Sequence, residues 1–391
     1  MKKSVVIVLV AFIVTLAVVV GSAFYQQRRV NEAVNSTTPS VDKVTIGAII
    51  PLSGDTAAVG VPIEQAAMLA VKEVNAAGGI KGRPLILEIR DGRCDAREAV
   101  NAAKIFINVD HVPVIFTGGC SSETLAVTPL AERSQVILFS PAATSPAVTD
   151  AGDYVFRNAP SDASQGRLLS EAAFNAGYRK VAVIHEDTDY AAGIATVFQS
   201  NFTARGGEIA LAAYRSLATD VAAELDQLLG ASPDALLLVV QSPSKAGLIF
   251  GELTRRGQRL PLLGNDVVLG ATDELTQYSD VSEGLVGADI ASDETEEPYR
   301  QFAARYEATY GESLKFGPYA ARSYDAIKLL AAAMSEVGVD PNAIRAYLGR
   351  VKDWPGVTGK LTLDENGDPV SGHILKYVVA GTVASTPPVN P

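Results

Sequence analysis

Residues 112–146 read VPVIFTGGCSSETLAVTPLAERSQVILFSPAATSP, and the pattern in this stretch decides the fold. An apolar run, Val112 to Phe116, ends in Thr117-Gly118-Gly119-Cys120-Ser121-Ser122. Helical spacing follows, with Leu125, Val127 and Leu130 apolar and Glu132 and Arg133 polar. A second apolar run, Val136 to Phe139, ends in Ser140-Pro141-Ala142-Ala143-Thr144. This is strand, helix, strand: one βαβ unit. In a parallel sheet both strand ends fall on one edge, the edge at which ligands bind. Ser121 falls where the helix begins. Its hydroxyl either caps the helix or, with the exposed first-turn amides, holds an anion such as a carboxylate. Two neighbouring strand ends rich in Ser, Thr and Gly keep the binding reading level with the structural one.

Working outward, the same alternation continues on both sides. Val44 to Ile50 is a strand, Gly60 to Asn75 has helical spacing, and Ala76 to Pro84 is a turn into the strand Leu85 to Ile89. Asp91 to Asp95 opens a helix that runs to about Val109. The order βαβαβαβ calls for a parallel sheet covered on both faces. After a short strand at Tyr154 to Arg157 the alternation restarts. Strands are expected at Lys180 to His185, Glu208 to Tyr214, Ala235 to Val240, Leu260 to Leu263 and Leu285 to Ala288, with helices between the earlier ones. Ala-rich helices follow at Pro298 to Tyr310 and Tyr319 to Glu336, with a shorter one at Pro341 to Arg350. Val357 to Leu363 and His373 to Val379, about the turn Asp364 to Asp368, read as a hairpin-like pair. These late pieces are too small for a third domain and return to the earlier two.

The expected fold is therefore α/β, with two doubly wound parallel-sheet lobes joined by a three-segment hinge. Lobe 1 takes residues 43–158 and 290–360, and lobe 2 takes 159–289 and 361–384. Residues 385–391 form a loose, proline-rich tail. The chain crosses between lobes near Asn158, Asp289 and Lys360, and strands joining two lobes make a hinge about a cleft.

The N-terminus has Lys2 and Lys3, then an apolar run from Val5 to Val20 and small residues at Gly21-Ser22-Ala23. This is either a cleaved signal peptide or an uncleaved membrane anchor, followed by a polar tether to residue 42. Either way the body is exported, to the periplasm or an equivalent extracytoplasmic space. No Cys follows the run, so a lipoprotein anchor is not expected. Lys2, Lys3, Arg28 and Arg29 against Glu32 leave this segment at +3 and the rest of the chain at −14. An acidic body argues against nucleic-acid binding. Cys94 and Cys120, the only cysteines, each follow a strand-like run. In an exported chain they read as a disulfide bracing the Ser121 loop, with two free buried thiols as the alternative.

Several segments together resemble one family. They are Ile46 to Gly54 (IGAIIPLSG), Val74 to Lys81 (VNAAGGIK), Asp91 to Asp95 (DGRCD), Gly119 to Ser122 (GCSS) and Ser140 to Pro146 (SPAATSP). Phe156-Arg157, Asp162 to Gly166 (DASQG), His185 to Tyr190 and Tyr319 to Ala326 (YAARSYDA) belong to the same set. The resemblance is to the periplasmic solute-binding proteins of branched-chain amino-acid ABC transporters, over about residues 44 to 380. It implies two lobes closing on a small-molecule ligand and the disulfide inferred above. It also implies permease subunits as partners. Ser121 and Thr144 would hold the α-carboxylate and ammonium, and Ala142 would offer a backbone carbonyl. Tyr190 would lie beside the ligand, Asp266 would be the acidic partner of the ammonium, and Tyr319 would close over the side chain. Three positions depart from the family pattern. Val59 and Gln241-Ser242 stand where aromatics are common, and Asp266 replaces a longer Glu. A pocket with less aromatic area and more polarity supports the zwitterionic end better than any one side chain.

His111, His185 and His373 are far apart and in no metal-type spacing, so neither metal nor cofactor is expected. There is no Gly-x-Ser-x-Gly elbow and no phosphate-binding Gly-Lys loop, and Cys120 would be consumed by the disulfide. Catalysis is not expected. The other alternative is a ligand-sensing module of the same fold, held to the membrane through an uncleaved N-terminal segment.

Overall fold

The computed structural model describes residues 42–387. The N-terminal apolar run, its tether and the last four residues of the tail lie outside the described residues. The first half of the alternation forms β1 (Val44–Ile50), α1 (Ala57–Ala76), β2 (Leu85–Asp91) and α2 (Ala96–Asn108). It continues through β3 (Val114–Thr117), α3 (Ser121–Ser134), β4 (Ile137–Ser140) and β5 (Val155–Arg157). These strands are all parallel, in the order β2-β1-β3-β4-β5. Side chains alternate across a strand, so β1, β3, β4 and β5 each feed two cores. Ile46, Ile50, Phe116 and Phe139 pack on one face, while Ile49, Ile115 and Leu138 pack on the other against Ala99, Phe106 and Val127. Asp95 sets the start of α2, its carboxylate accepting from Arg97 N at 2.8 Å and Glu98 N at 3.1 Å.

The second half runs α4 (Asp162–Asn175), β6 (Lys180–Glu186), α5 (Asp189–Ala204), β7 (Glu208–Tyr214), α6 (Ala222–Gly230), β8 (Ala235–Val239), α7 (Pro243–Arg255) and β9 (Leu262–Gly264). Three short helices follow, α8 (Asp266–Gly270), α9 (Thr272–Gln277) and α10 (Ser279–Ser282), and then β10 (Val286–Ile290). The remainder is α11 (Glu297–Tyr310), α12 (Gly317–Val337), α13 (Pro341–Leu348), β11 (Trp354–Gly356), β12 (Gly359–Leu361), β13 (His373–Val379) and β14 (Thr382–Ala384). The second sheet has the order β14-β13-β10-β9-β8-β6-β7. Its β7-β6-β8-β9-β10 part repeats the winding of the first sheet. In both, the strand order reverses beside the first strand of the set, between β1 and β3 and between β6 and β8. Such switch points open a crevice at the carboxyl ends of the strands.

Helices α11 to α13 return to the first sheet: Phe302, Ile327, Leu330 and Ile344 share a core with Ile46 and Phe116. Small residues such as Ala66, Ala70, Ala320 and Ala333 are fully buried in that core, so backbones approach closely there. The second sheet buries Val183, Leu237, Phe198 and Phe250 in a separate core. Arg322 of α12 binds the crossings together. Its Nε donates to Asn158 O and its Nη2 to Ala291 O, both at 3.1 Å, and Ala291 N donates to Gly372 O at 2.9 Å.

The end of the chain corrects the sequence reading. Val357 to Leu363 and His373 to Val379 do not pair with each other. Strand β12 pairs with β11, and β13 lies antiparallel between β10 and β14. The turn between them is spent otherwise. Arg157 donates to both Asp368 carboxylate oxygens at 2.6 Å, and Arg157 N donates to Gly367 O at 3.0 Å. Docked on β5, the turn sends the chain from one lobe to the other. The short helices α8 to α10 were not anticipated either, being too brief to show a period. Among the described residues no helix is long and apolar enough to cross a membrane.

Candidate functional site

The two switch points face each other across the cleft. On the first-lobe side, β3 ends at Thr117 and Gly118-Gly119 lead to Cys120, which occupies the N-cap position of α3. The Ser121 hydroxyl does not cap the helix. It accepts from Ser145 N at 3.1 Å, tying the β3 end to the β4 end. The first-turn amides of α3 lack intrahelical acceptors and form a donor set. Cys120 is bonded to Cys94, with Cα atoms 5.5 Å apart, which fixes the loop that carries Ser121. Glu123, in the first turn of α3, accepts from Cys94 N at 2.9 Å; burial pushes its carboxyl up to about 8.

The β4 end is equally constrained. Ser140 Oγ donates to Thr117 O at 2.6 Å and accepts from Ala143 N at 2.9 Å. Arg157, fully buried, donates to the carbonyls on either side of Thr144, Ala143 O at 3.0 Å and Ser145 O at 2.9 Å. Thr144 is held without freedom between them. Its hydroxyl lies beside Asp162 and Tyr319 and makes no hydrogen bond of good geometry.

On the second-lobe side, Thr188 caps α5, and this places Tyr190 in the first turn. Tyr190 Oη donates to Asp266 Oδ1 at 2.5 Å, and Asn265 Nδ2 donates to Tyr190 Oη at 2.8 Å. Tyr319, from α12, donates to the other carboxylate oxygen of Asp266. The first-lobe core contains Tyr319 and the second-lobe side carries Asp266, so this bond spans the cleft. Gln165 Nε2 bridges two acids, at 3.0 Å to Asp266 Oδ1 and 3.3 Å to Asp162 Oδ1.

Burial raises the Asp162 carboxyl well above its ordinary range, and the charge of Asp266 raises it further. Asp266 is raised too, chiefly by burial, against the pull of the two tyrosine hydroxyls. His373 lies with Nε2 3.8 Å from Asp162. Burial, then Arg322 and Arg157, push it down to about 3, so it adds no positive charge near neutrality. Asp162 Oδ2, Gln165 Oε1 and Thr144 Oγ1 are buried without partners. Behind the cleft, then, two buried acids lie together with unpartnered acceptor oxygens. This side suits a cationic group, while the α3 end suits an anionic one.

Between these walls lies a cavity of about 30 Å³. Of the residues read from the sequence, Ser121, Ala142, Tyr190, Gln241, Tyr319 and Val59 line it. Asp266 and Thr144 do not form its wall. Asp266 sits behind the two tyrosines, and Thr144 is fully buried beside them. Cavity-lining Val267 and Thr56, and the floor groups Asp162 and Gln165, were missed as site residues. The last two stood in the quoted DASQG segment, where an Asp at a helix start reads as a first-turn acid. Thr56 and Gln241 also line a wider hollow of about 650 Å³ toward the outside. Among the described residues no group of three or more His, Cys, Asp or Glu is placed to hold a metal.

Comparison with known proteins agrees with this fold. A family model described as periplasmic binding protein matches residues 43–378. The Leu/Ile/Val-binding protein BraC3 of Rhizobium johnstonii is 26% identical, the match covering 85% of this chain and 91% of that protein. Among solved structures, the leucine-binding protein LivK of Thermotoga maritima is similar with a TM-score of 0.79 and 26% identity, over 87% of this chain and 97% of that one. LivJ of Streptococcus pneumoniae, in complex with isoleucine, is similar with a TM-score of 0.78 and 27% identity, over 90% of this chain and all of that one.

Proposed function

The chain belongs to the periplasmic binding protein family, and on that premise we propose that its cleft captures a small α-amino acid and delivers it to an ABC importer. The observation that supports this most is the polarity of the cleft cavity, with helix-start donors and Ser121 on one wall and, across from them, Tyr190 and Tyr319 backed by the buried Asp266. A zwitterion's carboxylate meets the α3 amides and Ser121. Its ammonium meets the carbonyl of Ala142 and the hydroxyl oxygens of Tyr190 and Tyr319, whose protons go to Asp266 behind them. Charge-assisted hydrogen bonds in a water-poor site are stronger than in bulk water. Ligand contacts to both lobes favour the closed state, because only that state makes them all.

Closure also has its own bonds. Ser145 Oγ donates to Asp189 O at 3.1 Å, and Lys245 Nζ lies 3.1 Å from Asp55 Oδ2. BraC3 and LivJ carry branched-chain amino acids in their names or complexes, which supports the amino-acid class without fixing the side chain.

The test is thermal shift and calorimetry with a panel of amino acids, amides and small carboxylates. At least one zwitterion raises the melting temperature, as binding to the native state must. Ser121→Ala lowers that ligand's affinity about tenfold and, by stripping the buried Ser145 amide of its acceptor, lowers apo stability by about 1–3 kcal/mol. A panel in which only non-zwitterionic carboxylates bind, or a Ser121→Ala variant that binds like the parent, refutes the assignment.

A further inference from the structure

Gln241 is a polar residue that the zwitterion's head group leaves over. It follows β8 at the second-lobe switch point and lines both the inner cavity and the outer hollow. Its main chain is fixed, with Gln241 N donating to Glu186 Oε2 at 2.7 Å. Its amide is fixed as well, with Nε2 turned onto Cys94 Sγ at 2.9 Å across the cleft. That leaves Oε1, which is shut off from solvent and has no hydrogen-bond partner in a residue only 8% exposed. A buried acceptor without a donor is costly, and this one belongs to a residue in the wall of a ligand cavity.

The head group does not answer it. The carboxylate is met by Ser121 and the α3 amides, and the ammonium by Ala142 O and the two tyrosine oxygens. The rest of the lining beyond the head-group residues is apolar or small apart from Thr56: Pro51, Val59, Gly119 and Val267. We infer that the cleft selects a short α-amino acid whose side chain carries a hydrogen-bond donor, a hydroxyl above all, and that Gln241 Oε1 is the acceptor that selects it. This rests on the amino-acid reading above. A methyl group in that place would cover the oxygen with hydrocarbon and leave it unpaired. A site built around a hydrogen bond rejects the analogue that lacks it far more strongly than an apolar pocket rejects an extra hydroxyl.

L-Threonine and L-valine are the probes, because they share a shape and differ by hydroxyl against methyl. Calorimetric titration of the full chain is expected to show threonine binding at least about tenfold more tightly than valine. In Gln241→Met, which keeps the length and removes the amide, the ratio falls to near one through loss of threonine affinity. Valine binding as tightly as threonine in the parent overturns the inference and leaves the amino-acid reading in place. A preference for threonine that survives in Gln241→Met overturns the role of Gln241. No binding by threonine, valine, serine, alanine or glycine overturns both. Should the variant fail to fold, the parent's threonine-to-valine ratio still decides the side-chain class.

Discussion

On the first-lobe wall of the cavity, polar groups are held by main chain and by a covalent bond. On the second-lobe wall they are held by a mesh of side chains. Ser121 sits between a disulfide and a main-chain amide, and Thr144 between two carbonyls gripped by Arg157. Tyr190, Asn265, Asp266 and Gln165 hold one another from α5, α8 and α4, and Tyr319 joins them from the opposite lobe. The first wall's bonds all lie within one lobe, whereas the second includes one, Tyr319 to Asp266, that crosses between lobes, so opening is expected to cost the second wall a bond and the first none. This difference predicts that damage to the two walls is felt in different observables.

The largest effect expected is on stability, from the first wall. Opening Cys94–Cys120, which spans 26 residues, costs about 2–4 kcal/mol of unfolding free energy. Because the bridge lies in one wall only, hydrogen exchange should speed up around Gly92 to Thr124 and stay unchanged around α8. Equal loss of protection in both places would show that the walls are not independently held.

The second wall is broken by Asp266→Ala, which frees both tyrosine hydroxyls. Ligand affinity falls about 100-fold, or about 2.7 kcal/mol. The apo stability changes by less than about 1 kcal/mol, since losing a buried acid offsets the lost bonds. The same wall makes binding pH-dependent. Burial raises the Asp162 and Asp266 carboxyls in the empty site. A bound ammonium favours their ionised forms and lowers them again, so protons compete with ligand. Affinity falls as the solution is taken from about pH 8 to about pH 5, and the slope is smaller in Asp266→Ala. Affinity rising on acidification would mean the floor does not receive a cation.

Much of the first wall was legible in the sequence because its signals are local. Apolar runs ending in Gly-Gly-Cys-Ser-Ser and Ser-Pro-Ala-Ala-Thr mark strand ends, and two cysteines after neighbouring strands mark the bridge. The second wall was legible only in pieces. Tyr190, which lines the cavity, and Asp266, which sits behind it, were named through the family resemblance, and Asp162 was not named. Its partner Asp266 is far along the chain, and nothing near Asp162 distinguishes a buried acid from a solvated helix-start one. The hairpin at the end of the chain failed for the same reason. His373 to Val379 was read as a strand, but pairing with β10 depends on a lobe crossing that Arg157 and Asp368 set from a distance. The Ser121 hydroxyl reads equally as a cap or an anion holder until Ser145 is seen to donate to it.

The smallest effect expected sharpens the link between closure and the second wall. Lys245, with its side chain 8% exposed, donates to Ala218 O at 2.9 Å and lies 3.1 Å from the Asp55 carboxylate, which is 55% exposed. Asp55 follows β1 and Lys245 lies in α7, so the pair bridges the lobes at the rim and touches no ligand group described above. An ion pair with one solvated partner contributes about 0.2–1 kcal/mol, and here that contribution exists only in the closed state. Lys245→Met should therefore weaken ligand binding about two- to fivefold, with the change in the dissociation rate. Added salt should weaken the parent toward the variant and leave the variant less affected. A variant that loses association rate instead would place Lys245 in steering the ligand to the cleft, and the closing contacts would then reduce to those made through Tyr319, Ser145 and Gln241.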